Sequence, residues 1–177
     1  LGIHRPDRGQ DPAGIQKFVT AWPSGFTGTK ILFFAGKMRY NKHEYFSNEV
    51  GRVIHMKKVL YVASEAVPFI KTGGLADVVG SLPKCFPKEY FDVRVIIPKY
   101  ACMKQEFKDQ LHYITNFYMD LNWRQQYVGI FEMEYDGIKF YFIDNEEHFS
   151  GDKPYYGMPA DLEKFAFFSK AVLSYFR

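Results

Sequence analysis

The chain has 177 residues, 47% of them hydrophobic, 24% charged and 19% aromatic, which supplies one medium domain with ample core and excludes a disordered chain. No apolar run approaches the ~20 residues needed to cross a bilayer, and two cysteines, Cys85 and Cys102, are too few for a disulfide scaffold or a four-ligand zinc site. The net charge of +3 is uneven, +4 over residues 1–55 and −1 over residues 56–177, which weakens a nucleic-acid reading of the main body, since such binding needs a basic face.

Residues 1–29 carry turn chemistry throughout, with Pro6-Asp7, Asp11-Pro12-Ala13-Gly14 and Trp22-Pro23-Ser24-Gly25. A short apolar run, Ile31 to Ala35, suits a strand, and Tyr40 to His55 is polar and aperiodic. The order of basic start, apolar middle and small-residue cleavage site that marks a secretory signal is not found in these residues. Composition shifts at Met56-Lys57-Lys58. Residues 1–55 are therefore set apart as an unassigned extension, either a disordered arm or a mis-called start, and the domain is expected to begin at residue 56.

Val59-Leu60-Tyr61-Val62-Ala63 is a continuous apolar run, the pattern of a buried parallel strand. Leu75, Val78, Val79 and Leu82 follow at helical spacing, and Pro83 marks where that helix weakens. Val93 to Pro98 is a second buried strand. Strand, helix and strand in this order make a βαβ unit and a parallel sheet. Tyr113–Leu121, Tyr127–Glu134 and Ile138–Ile143 read as strands, the last two joined by the hairpin dipeptide Asp136-Gly137. They form an antiparallel excursion on the parallel core. A further helix is expected from the cap Asp161, with the stripe Leu162, Phe165, Ala166, Ser169, Val172, Leu173 and Phe176. The chain stops inside that pattern and is expected to be truncated.

The segment Lys71-Thr72-Gly73-Gly74-Leu75-Ala76-Asp77 lies between the first strand and the first helix. In an open α/β sheet this is the carboxyl end of a strand, where ligands bind. Glycines permit a sharp turn and a close approach of ligand to backbone. The helix start offers unpaired N–H groups and a positive dipole end suited to phosphate. Lys71 adds a charge, and Asp77 is an acceptor for a sugar hydroxyl or for Lys71. On spacing alone the plainer reading is a tight turn beside a solvated lysine. The segment is neither a P-loop nor Gly-x-Gly-x-x-Gly.

The run from Met56 through Lys71-Thr72-Gly73-Gly74-Leu75-Ala76-Asp77 to Pro83 closely resembles the amino terminus of bacterial glycogen synthase and plant starch synthase, as do Val93–Tyr100 and Lys153-Pro154-Tyr155-Tyr156-Gly157. The resemblance covers residues 56 to about 176. It implies an α/β fold, the incomplete Rossmann-like amino-terminal domain of a GT-B glycosyltransferase. It also implies glucose transfer from ADP-glucose to the non-reducing end of an α-1,4-glucan, with retention, no metal and no cofactor. By that match Lys71, Gly73, Gly74 and Asp77 bind the sugar nucleotide near its phosphates, and Tyr155 walls the cleft. The partners implied are ADP-glucose and α-1,4-glucan, with no nucleic acid and no membrane, in the cytoplasm. The family's catalytic His-bearing segment and second domain have no counterpart here, so catalytic residues stay unassigned and the chain alone is expected to be inactive. The competing reading is a non-catalytic glucan- or nucleotide-binding module.

Other residues suggest less. Asp144, Glu146 and Glu147 lie close together, as acid–base carboxylates do, but fit a solvated loop better. His148 lacks a second histidine at ligand spacing. Trp123, Tyr118 and Tyr127 are capable of stacking on a sugar ring, yet strand aromatics usually fill a core. His112 reads as a packed or surface residue, and both cysteines read as inert thiols.

Overall fold

The computed structural model describes residues 32–34 and 56–176. The assignment of residues 1–55 as an extension otherwise lies outside the described residues. Six strands form one sheet: β1 (Leu32–Phe34), β2 (Lys57–Val62), β3 (Phe91–Pro98), β4 (His112–Leu121), β5 (Arg124–Tyr135) and β6 (Ile138–Asp144), in the spatial order β1-β2-β3-β6-β5-β4. β2, β3 and β6 are parallel, and β5 and β4 continue the sheet antiparallel from β6. β1 pairs antiparallel with β2 on the other edge. The parallel core and antiparallel excursion expected from the sequence are both present.

The apolar runs of β2, β3 and β6 have a physical reason. Each strand is covered on both faces, so alternation is not needed. On one face Val62, Ile96, Tyr141 and Ile143 pack with Phe167, Phe168 and Val172 of α4 (Ala160–Tyr175). On the other, Tyr61, Val95, Ile97, Phe140 and Phe142 pack with Phe69 and with Val79 of α1 (Gly74–Ser81). Phe69 is a hub there, with T-shaped contacts to Phe107, Tyr135, Phe140 and Phe142. Single-turn helices α2 (Gln105–Lys108) and α3 (Glu146–Phe149) and a 3-10 turn at Leu82–Cys85 complete the described elements. The β5–β6 turn places Asp136 and Gly137 at φ 52° and 71°, the left-handed pair that a two-residue hairpin needs.

Both helical stripes differ from expectation. α1 buries Ala76, Val79 and Gly80, while Val78 and Leu82 are exposed. The inward face is set by close approach: a Cβ at Gly80 would lie 2.3 Å from Val67 Cγ2. α4 buries Lys164, Phe167, Phe168, Ala171 and Val172, with Leu162 and Leu173 exposed. Asp161 does not cap α4. Its carboxylate instead receives the N–H groups of Tyr156 and Gly157, at 3.0 and 2.6 Å. Of the hairpin aromatics expected to fill the core, Trp123 is 87% and Tyr118 64% exposed, and Tyr127 is half-buried. Trp123 falls in the two-residue turn between Leu121 and Arg124 and projects beyond the sheet.

Candidate functional site

The carboxyl ends of the parallel strands lead into Ala63-Ser64-Glu65 after β2, Lys99-Tyr100 after β3 and Asn145 after β6. The chain runs from Glu65 through a buried turn at Ala66–Phe69 and emerges at Lys71. Lys71, Thr72, Gly73 and Gly74 are all exposed, directly before the first turn of α1. Gly73 is the N-cap and offers no side-chain acceptor, so the first N–H groups of the helix, which have no intrahelical partner, receive no side-chain cap either.

Neither glycine is required by the turn itself. Gly73 has φ −158° and ψ −166°, extended backbone open to any residue. Gly74 is absent from the left-handed positions, which fall at Gly137 and Gly157. A Cβ at Gly73 would meet only Glu65 Oε1, at 3.8 Å, and one at Gly74 would meet nothing within 4 Å. The sharp-turn explanation is thereby corrected. The open approach to the backbone remains as what the glycines provide.

Lys71 Nζ donates to Asp77 Oδ1 at 2.8 Å, with both side chains about half exposed. Such a pair adds little to stability, and the ammonium is held over the helix start. Beneath the loop lies Glu65, 1% exposed. Its Oε2 accepts the Thr72 N–H at 2.5 Å and the Thr72 hydroxyl at 2.6 Å. Tyr155 comes from the loop before α4, and its hydroxyl lies 2.7 Å from Ser64 Oγ. Burial pushes the Tyr155 phenol above its ordinary range. Tyr100, 1% exposed, has a hydroxyl with no hydrogen-bond partner among the described residues. The structure thus gathers Lys71, Gly73, Gly74, Asp77 and Tyr155 at one edge of the sheet. Sequence reading missed Ser64, Glu65 and Thr72, although Glu65 follows an apolar strand directly, an unusual place for a carboxylate that ends up buried.

The remaining candidates are engaged elsewhere. Asp144 pairs with Lys99 at 3.1 Å. Glu147 receives the Gln126 amide and the Arg124 guanidinium, and these hold its carboxyl below the usual range. Asn145 caps α3 by accepting the His148 N–H. His148 packs on Phe167, and burial lowers its pKa. Cys85 and Cys102 are free thiols. No cluster of metal-ligating side chains occurs among the described residues, and no helix among them is long and apolar enough to cross a membrane. A cavity of about 250 Å³ lined by Met56, Phe86, Arg94 and Lys139 lies at the opposite, amino-terminal edge of the strands. Of its cations, Arg94 is paired with Asp92 and Lys139 with Glu132, while Lys88 also lines it.

A doubly covered sheet with a parallel core and an exposed glycine loop at its carboxyl edge is of the open α/β type, whose ligand sites lie at that edge. Residues 58–177 match the family model for the starch synthase catalytic domain, and the chain belongs to that family. It is 66% identical over 119 residues to the glycogen synthase of Lachnospira eligens, covering 67% of this chain and 25% of that protein. Over the same length it is 61% identical to the glycogen synthase of Lachnoclostridium phytofermentans. It therefore spans about a quarter of the relatives it matches. Among solved structures it is similar to the catalytic domain of starch synthase IV from Arabidopsis thaliana bound to ADP and acarbose, with TM-score 0.57 and 29% identity, covering 64% of this chain and 24% of that one.

Proposed function

We propose that this chain forms the amino-terminal part of an ADP-glucose-dependent α-1,4-glucan glucosyltransferase and supplies its half of the donor site. The observation that carries the reading is the exposed Lys71–Gly74 loop at the start of α1, in a chain of the starch synthase family. The similar Arabidopsis structure holds ADP and acarbose, which fit a nucleotide donor and a glucan acceptor. Lys71 contacts the donor's diphosphate, the amides at Gly73 and Gly74 donate to its oxygens, Asp77 keeps the ammonium over the helix start, and Tyr155 walls the cleft.

The chemistry follows from charge. Glycosyl transfer builds negative charge on the departing diphosphate, and fixed donors aimed at it lower the barrier. Asp77 pairs with Lys71 and holds the ammonium beside the helix start, where the N–H groups and the helix dipole add to its pull on a diphosphate. The diphosphate therefore competes with Asp77 for the ammonium, so this half-site binds weakly on its own and relies on the facing half for affinity. No metal is invoked.

The experiment has two parts. Residues 58–177 replace the matching quarter of the Lachnospira eligens glycogen synthase, and glucose incorporation into glycogen is measured. The chimera is expected to be active and its Lys71→Ala variant to lose most donor affinity. In parallel, amide shifts of the 177-residue chain are followed during ADP titration. Shifts centred on Gly73–Leu75 and weakened by Lys71→Ala support the reading, whereas a folded chimera without transfer, or indifference to Lys71→Ala, refutes it.

A further inference from the structure

We propose that Glu65 is a positioning residue of the donor site, acting through Thr72 to aim the amides of Gly73 and Gly74. This rests on the reading of the loop as a diphosphate site. A carboxylate buried to 1% exposure is costly unless it is paired. Glu65 takes part in none of the ion pairs among the described residues. Its neighbours in the chain, Ser64 and Ala66, are buried and uncharged, and packing there asks for no charge.

What the carboxylate does hold is the loop. One oxygen accepts both the N–H and the hydroxyl of Thr72. The other lies 3.8 Å from where a Cβ of Gly73 would stand, so the carboxylate underlies both residues. Two donors from one residue to one oxygen fix the Thr72 peptide against rotation, and the next two N–H groups inherit that orientation. As a charge, Glu65 repels a diphosphate, and its contribution is therefore geometric. Charge-assisted hydrogen bonds are about twice as strong as neutral ones, which is what holding a loop exposed on its outer side requires. Thr72 is exposed and its hydroxyl also bonds the Tyr155 phenol, so the contact can be cut from its side without opening the core, with Tyr155→Phe measured beside it to subtract that second contact.

The test titrates the 177-residue chain with ADP and reads the dissociation constant from amide shifts, with the melting temperature measured beside it. Glu65→Gln keeps the shape and weakens the acceptor. Thr72→Val removes only the hydroxyl donor, and Thr72→Ser keeps both donors. The expected result is an ADP dissociation constant raised roughly five- to tenfold by Glu65→Gln and by Thr72→Val, with Thr72→Ser restoring the parent value. The double variant Glu65→Gln/Thr72→Val is expected to be no worse than the weaker-binding single. An ADP affinity within twofold of the parent in Thr72→Val overturns the proposal even if Glu65→Gln does not fold, and so does a Thr72→Ser variant as weak as Thr72→Val. Lys71→Ala separates the two readings. If it too binds ADP like the parent, the diphosphate site itself is lost; if it alone weakens binding, only the role of Glu65 falls.

Discussion

Ser64 and Tyr155 are 91 residues apart in sequence and 2.7 Å apart in space, Oγ to hydroxyl. The contact ties the carboxyl end of β2 to the loop that precedes α4, and so holds the two edges of the candidate site in register. Ser64 is 9% exposed, so losing its partner leaves a nearly buried hydroxyl unsatisfied. Tyr155→Phe is expected to destabilise the loop by about 1 kcal/mol. Ser64→Ala should cost a similar amount, and the double variant less than the sum. Hydrogen exchange at Tyr156 and Gly157 reads the effect, and strict additivity would show that the two hydroxyls do not work as a pair.

The glycines of the loop separate stability from binding. A methyl at Gly74 meets nothing, and one at Gly73 meets only an ordinary contact. Gly74→Ala should leave stability unchanged or raise it by up to about 1 kcal/mol, because alanine restricts the unfolded chain. The same methyl occupies the space through which a diphosphate reaches the backbone, so the ADP dissociation constant is expected to rise about tenfold. Thermal unfolding measured beside the titration checks both halves. Gly74→Ala binding ADP as well as the parent would mean that the open approach has no role.

The sequence made the sheet legible because its parallel strands are covered on both faces and read as unbroken apolar runs, and because Asp136-Gly137 states its own turn. The helical faces were less legible. Leu162 and Leu173 are as apolar as Phe167 and Phe168, and periodicity counts them alike, yet α4 turns the phenylalanines inward. On α1 the inward face belongs to small residues, and a glycine carries no hydrophobic signal to count. Lys71, Gly73, Gly74 and Asp77 stand out as candidates because they fall within one seven-residue segment. Glu65 and Thr72 were missed because their bond depends on the chain folding back on itself at Ala66–Phe69, which no spacing rule announces. Trp123 was misread because its place in a turn, rather than its residue type, decides its exposure.

Gly80 gives a sharper test of packing. Its added Cβ would lie 2.3 Å from Val67 Cγ2 and 2.6 Å from the Val67 carbonyl oxygen. The side chain can rotate, but the carbonyl belongs to a segment anchored by the Val67 N–H to Ala76 carbonyl bond at 3.0 Å. Gly80→Ala is therefore expected to destabilise the chain by about 1–3 kcal/mol despite the higher helix propensity of alanine. Urea unfolding measures it. A more stable Gly80→Ala variant would show that α1 can move away from Val67 at no cost.

Asp161 makes the loop that carries Tyr155 sensitive to acid. Burial alone raises the pKa of its carboxyl, but the N–H groups of Tyr156 and Gly157 and the Lys164 ammonium at 3.2 Å outweigh burial and hold it below the usual aspartate range. Gly157, at φ +91°, lets the chain bring these amides to the carboxylate. Lys164 is 6% exposed and also donates to the Pro154 carbonyl at 2.8 Å, so one buried cation organises both ends of the turn. A folded pKa below the unfolded value of about 3.9 means that the carboxylate contributes its full stability above that value. The contribution fades as pH falls through the lower, folded value. Loosening of residues 154–157 is therefore expected below pH ~4, seen as movement of the Tyr156 and Gly157 amide signals in an acid titration. Asp161→Asn should abolish that pH dependence and, by leaving Lys164 buried without its counter-charge, cost about 3 kcal/mol at neutral pH. Amides that stay fixed through the titration, or an Asp161→Asn chain as stable as the parent, would show that the turn is held by Lys164 and Pro154 without the carboxylate.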